Sequence, residues 1–140
     1  MTQWHEKARR KSSGGIRTAK RRRDKRLTEK GGLPTHTVIT DEEERRTVTK
    51  GRGSTTKVKE RRAKFASIAD PKTKKVGKAE ILTVEENNAN RLFVRRNIIT
   101  KGAILKVKLG GKEEKAKVTS RPGQQGQVQA TLITQQEKKK

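Results

Sequence analysis

The stretch ILKVKLGGKEEKAKV, residues 104–118, decides how this chain folds. Leu105, Val107 and Leu109 alternate with Lys106 and Lys108, Gly110-Gly111 follows, and Ala116 and Val118 then alternate with Lys115 and Lys117. A period of two sends successive side chains to opposite faces of an extended strand. Two glycines suit the tight link between antiparallel strands, because they accept the positive φ angles that such turns demand. The segment is therefore a β-hairpin with one apolar face and one charged face.

The same texture extends in both directions. Downstream, Arg121-Pro122-Gly123 makes a turn, and Val128, Ala130 and Leu132 lie two apart between Gln127, Gln129 and Thr131. Upstream, KAEILTVEE (78–86), AKFASIA (63–69) and THTVIT (35–40) read as strands, and RRTVTKGRGSTTKVKERR (45–62) reads as two strands joined at Gly51-Arg52-Gly53. Asp70-Pro71 opens a turn. One segment departs from the pattern: Asn88 can cap a short helix with Ala89, Leu92 and Phe93 on one face and Arg91 and Arg95 on another. Short strands, frequent turns and one brief helix predict a mainly β fold. The expected architecture is a small closed or nearly closed β-barrel, with an extended basic N-terminal arm. Closure hides the strand edges that would otherwise invite aggregation.

The arm follows from composition. Residues 1–36 hold twelve Lys or Arg against three acids, a net +9, and only seven apolar residues, two of them Ala. They read as a basic arm suited to a polyanion, an RNA-binding arm if the partner is RNA. Residues 37–134 form the expected barrel domain, and 135–140 a charged tail. Arg17 to Arg26 would crowd like charges on neighbouring helical turns, so this part is expected to be disordered alone in water.

The whole 140-residue chain carries a formal charge of +23, with 38% charged and 27% apolar residues. Such a polycation repels itself and calls for a polyanionic partner. Nucleic acid fits best, because Lys and Arg that neutralise phosphates release condensed counterions. A membrane fits worse, since residues 9–26 lack an aromatic or Leu-rich face beside the charge. No run reaches the roughly 18–20 apolar residues of a transmembrane helix, and no secretion signal is visible. There are no cysteines, so disulfides and thiolate metal sites are excluded.

Catalytic constellations are missing. The two histidines, His5 and His36, stand apart in sequence, no phosphate-binding P-loop or nucleophile elbow occurs, and Asp41 to Glu44 balance Arg45 and Arg46 better than they build a metal site. The expectation is a protein that is not an enzyme, with no cofactor, metal or small-molecule substrate. The basic side chains carry the chemistry instead. Arg grips phosphate through its planar fork and Lys supplies point charge. The candidates in the arm are Arg9, Arg10, Lys11, Arg17, Lys20, Arg21, Arg22, Arg23, Lys25 and Arg26. Arg45, Arg46 and Arg52 join them from the 45–62 strand pair. With three aromatic residues in all, Phe65 and Phe93 are assigned to the core, while Trp4 has the choice of a base or a neighbouring protein.

Two stretches then point to a family. RRNIITKGAI (95–104) followed by VTSRPGQQG (118–126) resembles the paired signature of the small-subunit ribosomal protein family S-eight-e (eS-eight). DPKTKK (70–75), ENNANR (86–91) and SGG (13–15) ahead of a basic run resemble its archaeal form in the same order, so the likeness spans most of the chain. Eukaryotic members are longer through an insertion where Gly110-Gly111 here closes the hairpin directly. The resemblance implies a cytoplasmic ribosomal protein, its arm set in small-subunit rRNA and its barrel seated among neighbouring ribosomal proteins. It also implies RNA or neighbour contact at Arg95, Arg96, Lys101, Arg121 and the Gly123 to Gly126 turn. A ribosome-assembly factor of the same family and a non-specific DNA-compacting protein are the rival readings.

Overall fold

The computed structural model describes residues 2–5, 8–18, 27–51 and 53–133. The chain forms two compact units, Met1–Pro34 and Thr35–Lys140.

In the first unit, β1 (Gln3–Trp4) pairs antiparallel with β2 (Lys30–Gly31), and a 3-10 turn at Leu27–Glu29 leads into β2. A second reversal joins Arg10 to Ile16 in a β-bridge. There the Arg17 N–H donates to the Arg9 carbonyl at 2.9 Å and the Lys11 N–H to the Gly15 carbonyl at 2.8 Å. Gly14 supplies the positive φ, 84°, that lets the chain turn back. None of the described residues of this unit is buried, and Ile16, Leu27 and Leu33 are exposed. Backbone hydrogen bonds shape it, as expected where there is little to bury.

The second unit runs β3 (Thr37–Ile39), β4 (Arg45–Lys50), β5 (Thr56–Ala63), β6 (Phe65–Ala69), β7 (Val76–Glu86), α1 (Arg91–Arg95), β8 (Ile98–Ile99), β9 (Ile104–Leu109), β10 (Lys112–Val118), α2 (Pro122–Gln125) and β11 (Gln129–Leu132). The β9–β10 hairpin forms as its alternation predicts: Leu105 faces Ala116, and Gly110 and Gly111 adopt φ of 55° and 90°. Five strands close into a barrel in the order β10-β11-β6-β7-β9. Every pairing within it is antiparallel except β11 with β6. The remaining strands form a second sheet, β4-β5-β3-β8, in which β3 and β5 run parallel. Counting strands in the sequence could not assign them to two sheets, since that depends on which edges meet.

One apolar cluster joins the inner faces. Leu105, Val107, Ala116, Val118, Val128 and Ala130 are buried in the alternation read from the sequence, together with Ala63, Ala66, Ile68, Ala79, Ile81, Val84, Ile99 and Ala103. Six of these fourteen side chains are alanine. Small barrels fill a narrow interior with small and branched residues, and this explains where the aromatics go. Phe65 and Phe93 are half-buried and lie outside the cluster. Phe65 has the Lys78 ammonium 3.9 Å from its ring centre, and Phe93 packs at 5.5 Å on His36.

The assignment of Phe65 and Phe93 to the core is thereby corrected, and so are two local readings. The cap of α1 is Asn90, whose side chain accepts from the Leu92 N–H at 2.9 Å, not Asn88. The half-buried side of the helix is accordingly Phe93 and Val94, while Ala89 and Leu92 are exposed. The Arg121-Pro122-Gly123 turn continues into the one-turn helix α2, a second helix where one was expected. Pro122 starts it, where a missing N–H costs nothing, and Gly126 ends it in the left-handed region at φ 71°.

Candidate nucleic-acid interface

Strand register brings the separate basic groups to one end of the barrel. Glu86, the last residue of β7, pairs with Ile104, the first of β9, and Ile104 pairs with Lys117 near the end of β10. Three connections therefore leave the same end. Residues 87–97 carry Arg91, Arg95 and Arg96, residues 100–103 carry Lys101, and residues 119–128 carry Arg121. The two signature stretches meet here: the Gly102 N–H donates to the Val118 carbonyl at 2.8 Å and the Val118 N–H to the Ala103 carbonyl at 2.9 Å.

Each connection is braced by polar side chains. Asn87 is buried; its amide donates to the Ile98 carbonyl at 3.1 Å, and its oxygen accepts from the Ala89 N–H at 3.1 Å and the Thr100 hydroxyl at 2.9 Å. This one side chain ties the start of the Arg-bearing loop to the strand that follows it. Ser120, also buried, donates to the Gln127 carbonyl at 3.1 Å and accepts from the Gln129 N–H at 2.8 Å, clamping the base of the Arg121 loop. The Arg121 N–H in turn donates to the Gln125 side chain at 3.1 Å. The loops are presented on a fixed frame.

Some cations of this unit are paired within the chain and others are not. On the outer barrel face Lys106 pairs with Glu113 and Lys115 with Glu85, both at 2.5 Å, and Lys64 lies 3.9 Å from Glu80. The hydrogen bond with Lys106 holds the Glu113 carboxyl below its ordinary range and raises the Lys106 ammonium. By contrast, Arg95, Arg96, Lys101 and Arg121 are exposed and have no carboxylate partner among the described residues. Arg45 is exposed in the same way. Arg46 is engaged, 3.0 Å from Glu44 and 3.7 Å from Glu60. Cations without an internal counterion are the ones free to neutralise phosphate.

In the first unit, the reversal at Gly14 brings Arg9, Arg10, Lys11 and Arg17 together, all exposed. The Arg10 guanidinium also donates to the Gly14 carbonyl at 3.0 Å. Lys20, Arg21, Arg22, Arg23, Lys25, Arg26 and Arg52 lie outside the described residues, as does all but Arg17 and Thr18 of the 17–26 stretch expected to be disordered. Trp4 is half-buried on β1 opposite Lys30.

One residue of interest was not singled out from the sequence. Glu60 is 1% exposed, and burial pushes its carboxyl up to about 7, with Arg46 opposing and Glu44 adding to the rise. Its burial follows from a β-bulge: β4 residues Arg45 and Arg46 face Arg62 and Glu60, skipping Arg61. The extra residue changes which side chains turn inward, so both Glu60 and Ala63 are buried although they are three apart. A regular alternation cannot reveal this.

Among the described residues no three His, Cys, Asp or Glu side chains are grouped to hold a metal, and no helix is long and apolar enough to cross a membrane. The family described as ribosomal protein S8e matches residues 4–133. The chain is 45% identical over 133 residues to the small ribosomal subunit protein eS8 of Methanosphaera stadtmanae, covering 95% of this chain and 99% of that one. It is 45% identical over 126 residues to the eS8 protein of Sulfurisphaera tokodaii, covering 89% and 91%. With that of Methanospirillum hungatei it shares 42% over 131 residues, covering 94% and 98%.

Proposed function

The chain belongs to the ribosomal protein S8e family, and from that premise we propose that it holds small-subunit rRNA through two phosphate-binding surfaces. It is a structural ribosomal protein and not an enzyme. One surface is the basic first unit, with the run from Lys20 to Arg26. The other is the barrel end that carries Arg95, Arg96, Lys101 and Arg121, with Arg45 and Arg52 as further contacts. Its place of work is the cytoplasmic ribosome, among other proteins of the small subunit.

The observation that carries this reading is that strand register gathers those four exposed cations at one end of the barrel, where none has a carboxylate partner among the described residues. Charges left uncompensated within a chain of net +23 need an external anion. The first unit fits the same logic, because its described residues bury nothing of their own. Neutralising phosphate where RNA helices pack closely requires no chemical step, only positioned positive charge.

The test is binding of small-subunit rRNA across a salt series. Each lost phosphate contact should lower the slope of log K against log salt by about 0.9 in a duplex region and about 0.7 in a single-stranded one. Replacing Arg95, Arg96 and Arg121 together by Ala should therefore reduce it by about 2–3. Replacing Arg21, Arg22 and Arg23 together should do likewise. Slopes equal to wild type in both triple variants would reject the assignment, and equal affinity for random duplex DNA would favour the DNA-compacting reading. Co-sedimentation with mature small subunits at high salt distinguishes a resident protein from a transient assembly factor.

A further inference from the structure

A cleft of about 180 Å³ lies where the β4–β5 hairpin meets the barrel strands β6 and β7, lined by Glu44, Arg46, Glu60, Phe65, Lys78 and Gln127 among others. It is smaller than the roughly 300–1,000 Å³ pockets that take drug-sized ligands, and its size suits one planar ring system. Glu60 is more than nine-tenths buried, and its Oε2 has no hydrogen-bond partner among the described residues. Its Oε1 is little better served, since the Arg46 Nε stands 3.7 Å away, beyond hydrogen-bond length. A buried carboxyl with an unsatisfied oxygen is costly, and in a native fold it asks for a donor.

Resting on the rRNA-binding reading above, we propose that this cleft receives a single unstacked guanine of the RNA, its N1–H and N2–H2 donating to the two oxygens of Glu60.

Three features select that occupant. First, the site needs a donor pair with no charge: Arg46 and Lys78 already match Glu44 and Glu60 in number, so a guanidinium or ammonium from a protein partner would meet uncompensated positive charge. Second, guanine alone among the four bases places two donors side by side on its Watson–Crick edge; adenine, cytosine and uracil each set an acceptor beside their donor. Third, Phe65 lines the cleft with Lys78 3.9 Å and Lys64 5.8 Å over its ring, so a base that displaces the Lys78 ammonium exchanges a cation contact for stacking on the same ring. Entry requires Arg46 to swing aside. Its side chain is 51% exposed and its contact to Glu60 is long, so the movement gives up chiefly the 3.0 Å ion pair with Glu44, a half-exposed pair worth little. The phosphates flanking such a base would be met by exposed Arg45 and Lys78.

The experiment compares uridine hexamers carrying one central guanosine, inosine, adenosine or uridine, binding to the full chain at fixed low salt and pH 8, where Glu60 is ionised. Phosphate number is constant, so differences report base recognition. Guanosine should bind at least about fivefold tighter than uridine or adenosine, as expected for a bidentate contact. Inosine, lacking the 2-amino group, should fall between. Glu60→Gln should erase the guanosine preference while leaving the salt slope unchanged, and Phe65→Leu should weaken all four oligomers alike. Equal binding of the four hexamers to wild-type protein, or a guanosine preference that survives Glu60→Gln, overturns the proposal and leaves the phosphate-binding reading intact. Failure of every hexamer and of rRNA to bind would instead remove that reading itself.

Discussion

Replacing Glu60 by Gln should make the protein more stable at pH 8 and remove much of its dependence on pH. A carboxyl that ordinarily titrates near 4.5 holds its proton to about 7 here, chiefly because burial penalises the charged form. Between those values the native chain keeps a proton that the unfolded chain has released. Stability therefore falls as pH rises through this window and levels off above it. At about 1.4 kcal/mol per pH unit, the buried charge costs about 3 kcal/mol at pH 8. Gln keeps the shape and carries no charge, so at pH 4.5 the variant should match wild type closely. At pH 8 it should gain up to about 3 kcal/mol, a figure in which the opposing attraction of Arg46 is already included. Urea unfolding of the full chain at pH 4.5, 6 and 8 measures this, followed by far-ultraviolet circular dichroism because the sole tryptophan, Trp4, lies in the other unit. Asp70 and Glu113, whose carboxyls are held below their ordinary values by hydrogen bonds, act in the opposite sense. Their stabilisation is lost as pH falls towards and below the usual carboxylate range, and it cancels in the difference between the two proteins. Stability curves of wild type and the Glu60→Gln variant that stay parallel from pH 4.5 to 8 would refute the reasoning.

Other substitutions probe the frame that presents the basic loops. Asn87→Ala removes three hydrogen bonds at a buried position; it should cost about 1–3 kcal/mol in urea unfolding and weaken rRNA binding through the displaced Arg91 to Arg96 loop. Asn90→Ala, which deletes the cap of α1, should cost about 1 kcal/mol by the same assay. Gly126→Ala combines a positive φ of 71° with a new Cβ placed 2.5 Å from the Val58 Cγ1, and about 1–3 kcal/mol should be lost in the same unfolding measurement. Lys106→Ala, at an exposed ion pair with Glu113, should leave the urea midpoint unchanged.

Whatever depends on a residue and its near neighbours could be read directly along the chain. The period-two patterns of 104–118 and 128–132 named their buried and exposed members, because each strand carries its own record of two faces. The Gly110-Gly111 turn was legible for the same local reason, and so was the excess positive charge of the first 36 residues. Pairing in three dimensions settled which strands close the barrel and which form the second sheet. It also settled that Phe65 and Phe93 stay outside an interior packed with alanine and branched aliphatic side chains. The basic candidates of the barrel were visible one by one, but their gathering at a single end follows from register across β7, β9 and β10, which no single strand encodes. Glu60 shows the limit most clearly. A bulge at Arg61 turns an acid inward from a stretch that reads as a solvated strand, because side-chain direction is set by pairing with the neighbouring strand as much as by the residue itself.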